Sequence, residues 1–356
     1  MPNESLNLRE IPIKGYEQVV EIVDEKAGLH GIIAIHNTHL GPACGGIRAF
    51  PYSSFDEALT DVLRLSQGMT YKASVAQTGT GGGKGVIILD QDRRKTNEML
   101  LAFGEAMNHF HGRYYGGEDM GMTVDDLLTM RQATSYVAGL AIPGSSGDPS
   151  RFTARGTLRG IQAVCQKVWG SPSVRGKKIA LQGLGSVGMK LMQLLFWEGA
   201  ELIVTDVNPK LVEQAINFWG AKSATLEGIL QAECDIFSPC AVGGILNEET
   251  IPQLRCRAIA GSANNQLLTE KDGERLLKKT IFYAPDFVIN AGGLINIASE
   301  VARHAYHPGI VREQVDHLYE LLLSIFDEAE KTGKSTHQIA MEIAESHLHE
   351  PIRKVS

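Results

Sequence analysis

Two lysines, Lys72 and Lys84, lie in GMTYKASVAQTGTGGGKGVI, and an acid, Asp119, follows in GRYYGGEDMG. Three glycines precede Lys84 and a β-like apolar run (86–89) follows it. A lysine pressed into such surroundings loses water, and desolvation disfavours its charged form. Its pKa can then fall from ~10.4 toward the ~7–8 that suits a general base. Lys72 closes an amphipathic stretch beside Met69 and Tyr71. As a cation it can hold a carboxylate; the plainer reading is a lysine laid along the surface. Asp119, taken alone, is more often a surface or turn acid ahead of a capped helix than a catalyst.

A second chemical signature lies further on. Gly183-x-Gly185-x-x-Gly188, with Ser186 and Val187 between, follows an apolar strand (179–181) and opens a helical stretch. The next strand ends in Asp206, 23 residues after Gly183, near the offset of ~20 found in dinucleotide sites. The glycines permit a tight turn and close backbone approach to a pyrophosphate at a helix N-terminus. Asp206 would accept hydrogen bonds from a ribose 2′-OH and repel a 2′-phosphate, which predicts NAD over NADP, while Lys210 nearby pulls the other way. The bland alternative is a glycine-rich turn without ligand. A Walker reading of GTGGGKG fails on spacing, because Thr78 stands where the first glycine belongs and Gly85 where Ser or Thr should follow the lysine.

The elements that must position these groups can be read from periodicity. Residues 11–50 predict short strands with a turn at 26–28, and Ser54-x-x-Glu57 predicts a capping box opening a helix to about residue 70. A buried strand is expected at 86–90 and a helix at 96–111; Thr123-x-x-Asp126 caps another. The loop PGSSGDPS (143–150) marks a domain boundary. Beyond it a helix (153–169), then KKIALQG, a helix and ELIVTD form a βαβ unit. The apolar runs CDIFSP, RAIAGS and TIFYAPDFVIN continue the alternation, and the tail from about 311 is helical. The expected fold is α/β in two domains: residues 1–147 for substrate and oligomerisation, and 148–327 as a doubly wound, Rossmann-type NAD domain. The active site is expected in the cleft between them, and the helices of 328–356 are expected to pack back on the first domain.

The chain has 356 residues, enough for two cores, and its formal charge of −7 argues against a nucleic-acid partner. No apolar run is long enough for a membrane span. The start, MPNESLNLRE, lacks a basic and apolar leader, so no secretion signal is expected. Five cysteines without a CxxC pair suit a reducing, cytoplasmic setting. The pairs His109-x-His111, His304-x-x-His307 and His347-x-His349 raise a metal hydrolase. They lack a Cys or acid at ligand spacing, so structural histidines and no metal are expected.

GPACGGIR, GMTYK, GGGK, GRYYGGEDMG, GLGSVG, VTDVN, FSPCAVGGILN, IAGSANNQL and APDFVINAGGLIN occur in this order over nearly the whole chain. In that order they resemble the amino-acid dehydrogenase family covering glutamate, leucine, valine, phenylalanine and tryptophan dehydrogenases. The resemblance implies reversible, NAD-dependent oxidative deamination of an L-amino acid to its 2-oxo acid and ammonia, by a homo-oligomer. It implies that Lys72, with Gly45 and Gly46 and with Met69 beside it, binds the substrate carboxylate. Lys84 would be the general base that activates water, and Asp119 the proton carrier at the amino group. Asn265 would hold the carboxylate or the nicotinamide edge, Thr153 the nicotinamide amide, and Cys240 and Ala241 would line the cofactor. Two other readings compete: a non-catalytic NAD-binding relative, and another two-domain NAD(P) dehydrogenase using Lys84 as base.

Within the family, glutamate enzymes carry a lysine before the GG turn, where this chain has Cys44. A buried γ-carboxylate would lack a partner there, so the apolar-substrate branch is expected. Cys44, Gly117, Leu294 and Ile297 would line the pocket. Leucine-type members resemble TAED where this chain has GGED, and tend to valine at the place of Leu294. Gly117 with Leu294 leans toward an aromatic side chain. AQTGTGGGK departs from the more usual AGLNLGGGK.

Overall fold

The computed structural model describes residues 5–92, 94–303 and 306–349, so His304 lies outside the described residues. Two compact units result. One comprises Met1–Asp148, Leu294–Pro308 and Ala344–Ser356, the other Pro149–Gly293 and Gly309–Ile343.

In the first unit a six-stranded sheet runs in the order β1-β2-β3-β5-β4-β6. Its strands are β1 (Leu6–Glu10), β2 (Gln18–Asp24), β3 (Leu29–Asn37), β4 (Ala43–Phe50), β5 (Gly81–Ile88) and β6 (Tyr114–Glu118). The first pairings are antiparallel, while β5-β4 and β4-β6 are parallel. Helix α1 (Phe55–Val75) covers one face; α2 (Asn97–Met107) and α3 (Val124–Met130) belong to the core on the other. Coverage on both sides explains why β3 reads LHGIIAIHN, nearly continuous in apolar residues. Ile32 and Ala34 join the α1 side, and Ile33 and Ile35 the core that contains Phe103 and Tyr114.

The three glycines before Lys84 are strand, not loop. The expected start at residue 86 becomes Gly81. Glycine is a poor strand former, but close packing on both faces leaves room for nothing larger. A Cβ on Gly82 would stand 2.1 Å from the backbone nitrogen of Thr70 in α1. On the opposite face a Cβ on Gly83 would meet the Tyr114 ring at 2.9 Å, and one on Gly85 would meet Phe103 at 3.0 Å. Ser54 caps α1 by accepting from the Glu57 N–H. The Glu57 carboxylate accepts from Ser53 instead of completing the box, and α1 runs on to Val75. The box at Thr123 and Asp126 is complete.

The second unit holds a parallel sheet in the order β12-β11-β10-β7-β8-β9. Its strands are β7 (Lys178–Gln182), β8 (Glu201–Thr205), β9 (Lys222–Ser223), β10 (Ile236–Pro239), β11 (Ala258–Ile259) and β12 (Phe282–Tyr283). Helices α4 (Ser150–Trp169), α5 (Ser186–Trp197), α6 (Pro209–Trp219), α7 (Lys271–Lys278) and α8 (Asp286–Ile289) connect and cover them. The order reverses between β7 and β10, and a ligand crevice forms beyond the strand ends at such a point. Residues 286–289, inside an expected apolar run, are helical.

Four boundaries differ from the expected division. The break falls between Asp148 and Pro149, and α9 (Gly292–Arg303) contributes residues 294–303 to the first unit. Glu300 explains the second point: its carboxylate accepts from Gly139 N, Ser145 Oγ and Ser146 N, tying α9 to residues of that unit. Of helices α10 (Pro308–Asp316) and α11 (Leu318–Thr332), the stretch from residue 328, expected to pack back on the first domain, does not do so. From Gly309 onward they belong to the second unit, where Lys167 of α4 pairs with Asp327 and Glu330. Of α12 (Thr336–His349) only the part from Ala344 joins the first unit, where Ser74 donates to the Ala344 carbonyl.

The helix-to-strand contact can be tested with two glycines. Gly82→Ala should lower the unfolding free energy by about 3 kcal/mol or more, since the collision is with backbone. Gly68→Ala, at an exposed position inside α1 with open space around it, should raise it by about 1 kcal/mol. Urea unfolding of both variants checks the pair; equal effects would refute the close approach.

Candidate active site

The first unit brings Lys84 and Asp119 together. Lys84 leaves β5 on the face that α1 covers, and Asp119 follows the end of β6. Lys84 Nζ lies 2.8 Å from Asp119 Oδ2, with the lysine side chain 6% exposed and the aspartate 22%. Arg48 of β4 approaches the same oxygen, Nε to Oδ2 at 3.0 Å. Burial alone would raise the Asp119 pKa, but Lys84 and Arg48 outweigh it and hold the carboxyl at about 2. The desolvated lysine that the sequence predicts therefore has a carboxylate at hydrogen-bond distance.

Gly45 and Gly46 form the floor. A Cβ on Gly46 would fall 2.7 Å from Asp119 Cβ, and one on Gly45 only 1.9 Å from the Gly83 carbonyl oxygen. The same position lies 3.4 Å from Met69 Cγ, so Met69 of α1 rests on this pair, which is extended strand inside β4 and not the expected turn. Lys72 stands in the last turn of α1, half-buried.

Beside this floor lies an apolar cluster of Cys44, Ala73, Ala138, Leu294 and Val301, with Met69, Tyr115 and Ile297 packed against it. It unites three of the four residues expected to line the pocket, Cys44, Leu294 and Ile297. The fourth, Gly117, faces Ile297: its Cβ would sit 3.4 Å from Ile297 Cδ1. Burial pushes the Cys44 thiol up to about 12, Glu300 adding to the effect and Lys84 opposing it. Cys44 is thus a neutral lining group.

In the second unit the glycine fingerprint is a folded turn. Gly183 has φ +99°, and a Cβ there would stand 2.7 Å from Ala241 Cβ. A Cβ on Gly188 would fall 2.0 Å from the Gly183 carbonyl oxygen and 3.5 Å from Cys240 Cβ. Gly185, by contrast, faces open space and precedes α5, whose first residue, Ser186, is exposed and Val187 half-buried. Asp206 accepts from Leu184 N at 2.6 Å and Asn208 N at 2.7 Å, which fixes its carboxylate beside the turn. The close turn, the open helix end and the fixed acid fit a dinucleotide. Thr153 lies in the first turn of α4, where it donates to the Pro149 carbonyl, and its Oγ1 excludes a side chain at Gly293. Asn265 is exposed in the left-handed region, φ +52°, and its carbonyl accepts from Gly244 N.

Sequence reasoning missed Arg48, Asp61 and Glu300. Arg48 ends the motif GPACGGIR, so the signal was present, but its partner Asp119 lies 71 residues further on and Asp61 meets it only through the packing of α1 on the sheet. Of the histidine pairs, His347 is bound to the Ser74 carbonyl, and among the described residues no group of three or more His, Cys, Asp or Glu side chains could hold a metal ion. No helix among the described residues is long and apolar enough to cross a membrane.

A Rossmann unit with a dinucleotide turn, joined in one chain to an α/β unit carrying a buried lysine–aspartate pair, fits an NAD(P)-dependent oxidoreductase. Residues 16–139 match the description "Glu/Leu/Phe/Val dehydrogenase, dimerisation domain" and residues 206–350 "Glutamate/Leucine/Phenylalanine/Valine dehydrogenase". The chain is 45% identical to leucine dehydrogenase of Geobacillus stearothermophilus, over 95% of this chain and 92% of the relative. It is 45% identical to phenylalanine dehydrogenase of Caldalkalibacillus thermarum, over 96% and 93%. The crystal structure of L-tryptophan dehydrogenase from Nostoc punctiforme superimposes with a TM-score of 0.81 at 41% identity, covering 94% of this chain and 96% of that one. The chain therefore belongs to the Glu/Leu/Phe/Val dehydrogenase family, as its ordered motifs imply, and is an amino-acid dehydrogenase with the expected two-domain α/β fold.

Because the Asp119 pKa is depressed in the fold, its contribution is present above the ordinary carboxyl range and lost as pH falls toward about 2. The shift corresponds to roughly 2 kcal/mol. Between about pH 5 and about pH 2 the wild type should lose that much more unfolding free energy than Asp119→Asn. Parallel pH slopes in urea titrations would contradict the ion pair.

Proposed function

We propose that the protein uses NAD to deaminate an apolar L-amino acid oxidatively, with a lean toward aromatic side chains, and that it works as a cytoplasmic homo-oligomer. The observation that carries this reading is the Lys84–Asp119 pair at 2.8 Å on a glycine floor, beside an apolar cluster. Lys72, with the Gly45–Gly46 segment of β4 and Met69, binds the α-carboxylate; Asn265 bonds the carboxylate or the nicotinamide edge. Asp119 takes the proton from the substrate amine and returns it to the departing ammonia. Lys84 deprotonates the water that adds to the imine carbon, and collapse of that adduct gives the 2-oxo acid.

A nicotinamide supplies the acceptor for the hydride leaving the amino-acid Cα. Gly183, Gly185, Ser186, Val187 and Gly188 would hold its pyrophosphate, Thr153 its amide, and Cys240 and Ala241 its flank. Asp206 favours NAD, because a 2′-phosphate would meet its carboxylate.

Cys44 is what disfavours glutamate. A γ-carboxylate there would find a neutral thiol and the repulsion of Glu300, whose charge already bears on Cys44. The wide reading of the pocket rests on Gly117, where a methyl would reach van der Waals contact with Ile297.

Nicotinamide reduction across a panel of L-amino acids, with NAD and with NADP, tests the reading. Phenylalanine or tryptophan should exceed leucine and valine in kcat/KM, glutamate should be inactive, and NAD should exceed NADP. Gly117→Ala should move the aromatic-to-branched ratio down by roughly 10-fold or more, a methyl being worth ~1–3 kcal/mol. A preference for leucine that Gly117→Ala leaves unchanged would remove the aromatic lean.

A further inference from the structure

Asp119 carries a second cation, and that cation is itself anchored. Arg48 donates from Nε to Asp119 Oδ2 at 3.0 Å and from Nη1 to Asp61 Oδ2 at 2.8 Å. Tyr52 OH donates to the same Asp61 oxygen at 2.7 Å. Lysine, aspartate, arginine and aspartate thus alternate in charge from β5 to α1, closed by a phenol. The Arg48 side chain is 18% exposed and Asp61 17%, so the chain is largely sheltered from solvent. Arg64 also approaches Asp61, at 3.8 Å, but it is 66% exposed and adds little.

We propose that Arg48 is a positioning residue of the reaction: its planar guanidinium spans Asp61 and Asp119 and fixes how the Asp119 carboxylate meets the substrate amine. A guanidinium can do this because its N–H groups leave in fixed directions within one plane. Asp61 and Tyr52 hold the far edge, so the near edge cannot swing away. A lysine keeps the charge but has one rotating head, and it cannot hold both acids in a fixed geometry. The acid that aims Arg48 sits on α1, the helix that also bears Met69 and Lys72. Substrate-binding and proton-carrying groups are thereby referenced to one rigid element.

A cavity of about 730 Å³ lined by Arg48, Tyr52, Asp61 and Arg64 lies beside the network. It gives the test a readout that a merely structural role would not move. The inference rests on the reading of Asp119 as the proton carrier, so Asp119→Asn is measured alongside. Truncation in Arg48→Ala should cost kcat on the order of 10²-fold, the scale of a misplaced catalytic group, with a much smaller change in the amino-acid KM. Guanidinium ion at sub-denaturing concentration should restore kcat several-fold in Arg48→Ala and leave the wild type unchanged. Arg48→Lys and Asp61→Asn should lose kcat to a lesser degree, without gain from guanidinium.

Wild-type kcat in Arg48→Ala, or loss without rescue while Arg48→Lys is fully active, would overturn the proposal. If Arg48→Ala does not fold, unchanged kcat in both Arg48→Lys and Asp61→Asn overturns it as well. An active Asp119→Asn would bring down the reading of Asp119 and this proposal together. An inactive Asp119→Asn with an unaffected Arg48→Ala would bring down this proposal alone.

Discussion

Lys84 reaches Asp119 because three strands and a helix lie closer together than side chains would permit. Gly82 admits the backbone of α1, Gly45 admits the carbonyl of Gly83, and Gly46 admits Asp119 itself. Each of these contacts is one that a methyl group would break. The glycines therefore do not supply flexibility here; they remove volume, so that a cation and an anion can meet inside a sheet. The cost of burying those charges is offset by pairing, since Lys84 and Arg48 share one carboxylate oxygen.

The same device recurs in the nucleotide unit with a different purpose. Gly183 and Gly188 close the turn against Ala241 and Cys240, while Gly185 leaves the helix end open. Two of the three glycines make the turn and one leaves approach room. Asp206 is rigid because two backbone N–H groups hold it, which suits a group that must discriminate a hydroxyl from a phosphate.

Much of this was legible in the sequence where a motif combined a residue type with a neighbouring element. Gly183 to Asp206 could be read because strand, turn, helix and acid follow one another within a single βαβ unit. Lys84 and Asp119 could be singled out by their glycine surroundings and by resemblance. Contacts made across the chain were not visible. Arg48 meets Asp61 through the packing of α1 on the sheet, and Glu300 meets residues 139–146 through a helix that returns late to the first unit. The strand at 81–85 was misread because propensity argues against glycine in a strand, while central pairing on both sides decides otherwise. The C-terminal helices carry an amphipathic pattern that says they pack, but not on which unit.

The central claim is that Lys84 and Asp119 act as one unit, and a double-mutant cycle in single-turnover nicotinamide reduction tests it most directly. Rates would be compared for the wild type, Lys84→Ala, Asp119→Ala and the double variant with saturating amino acid and NAD. Groups that act together are strongly non-additive, so the double variant should be about as slow as the slower single one. Losses that multiply, or a single variant with undiminished rate, would mean that the contact at 2.8 Å is structural and that the chemistry is done elsewhere.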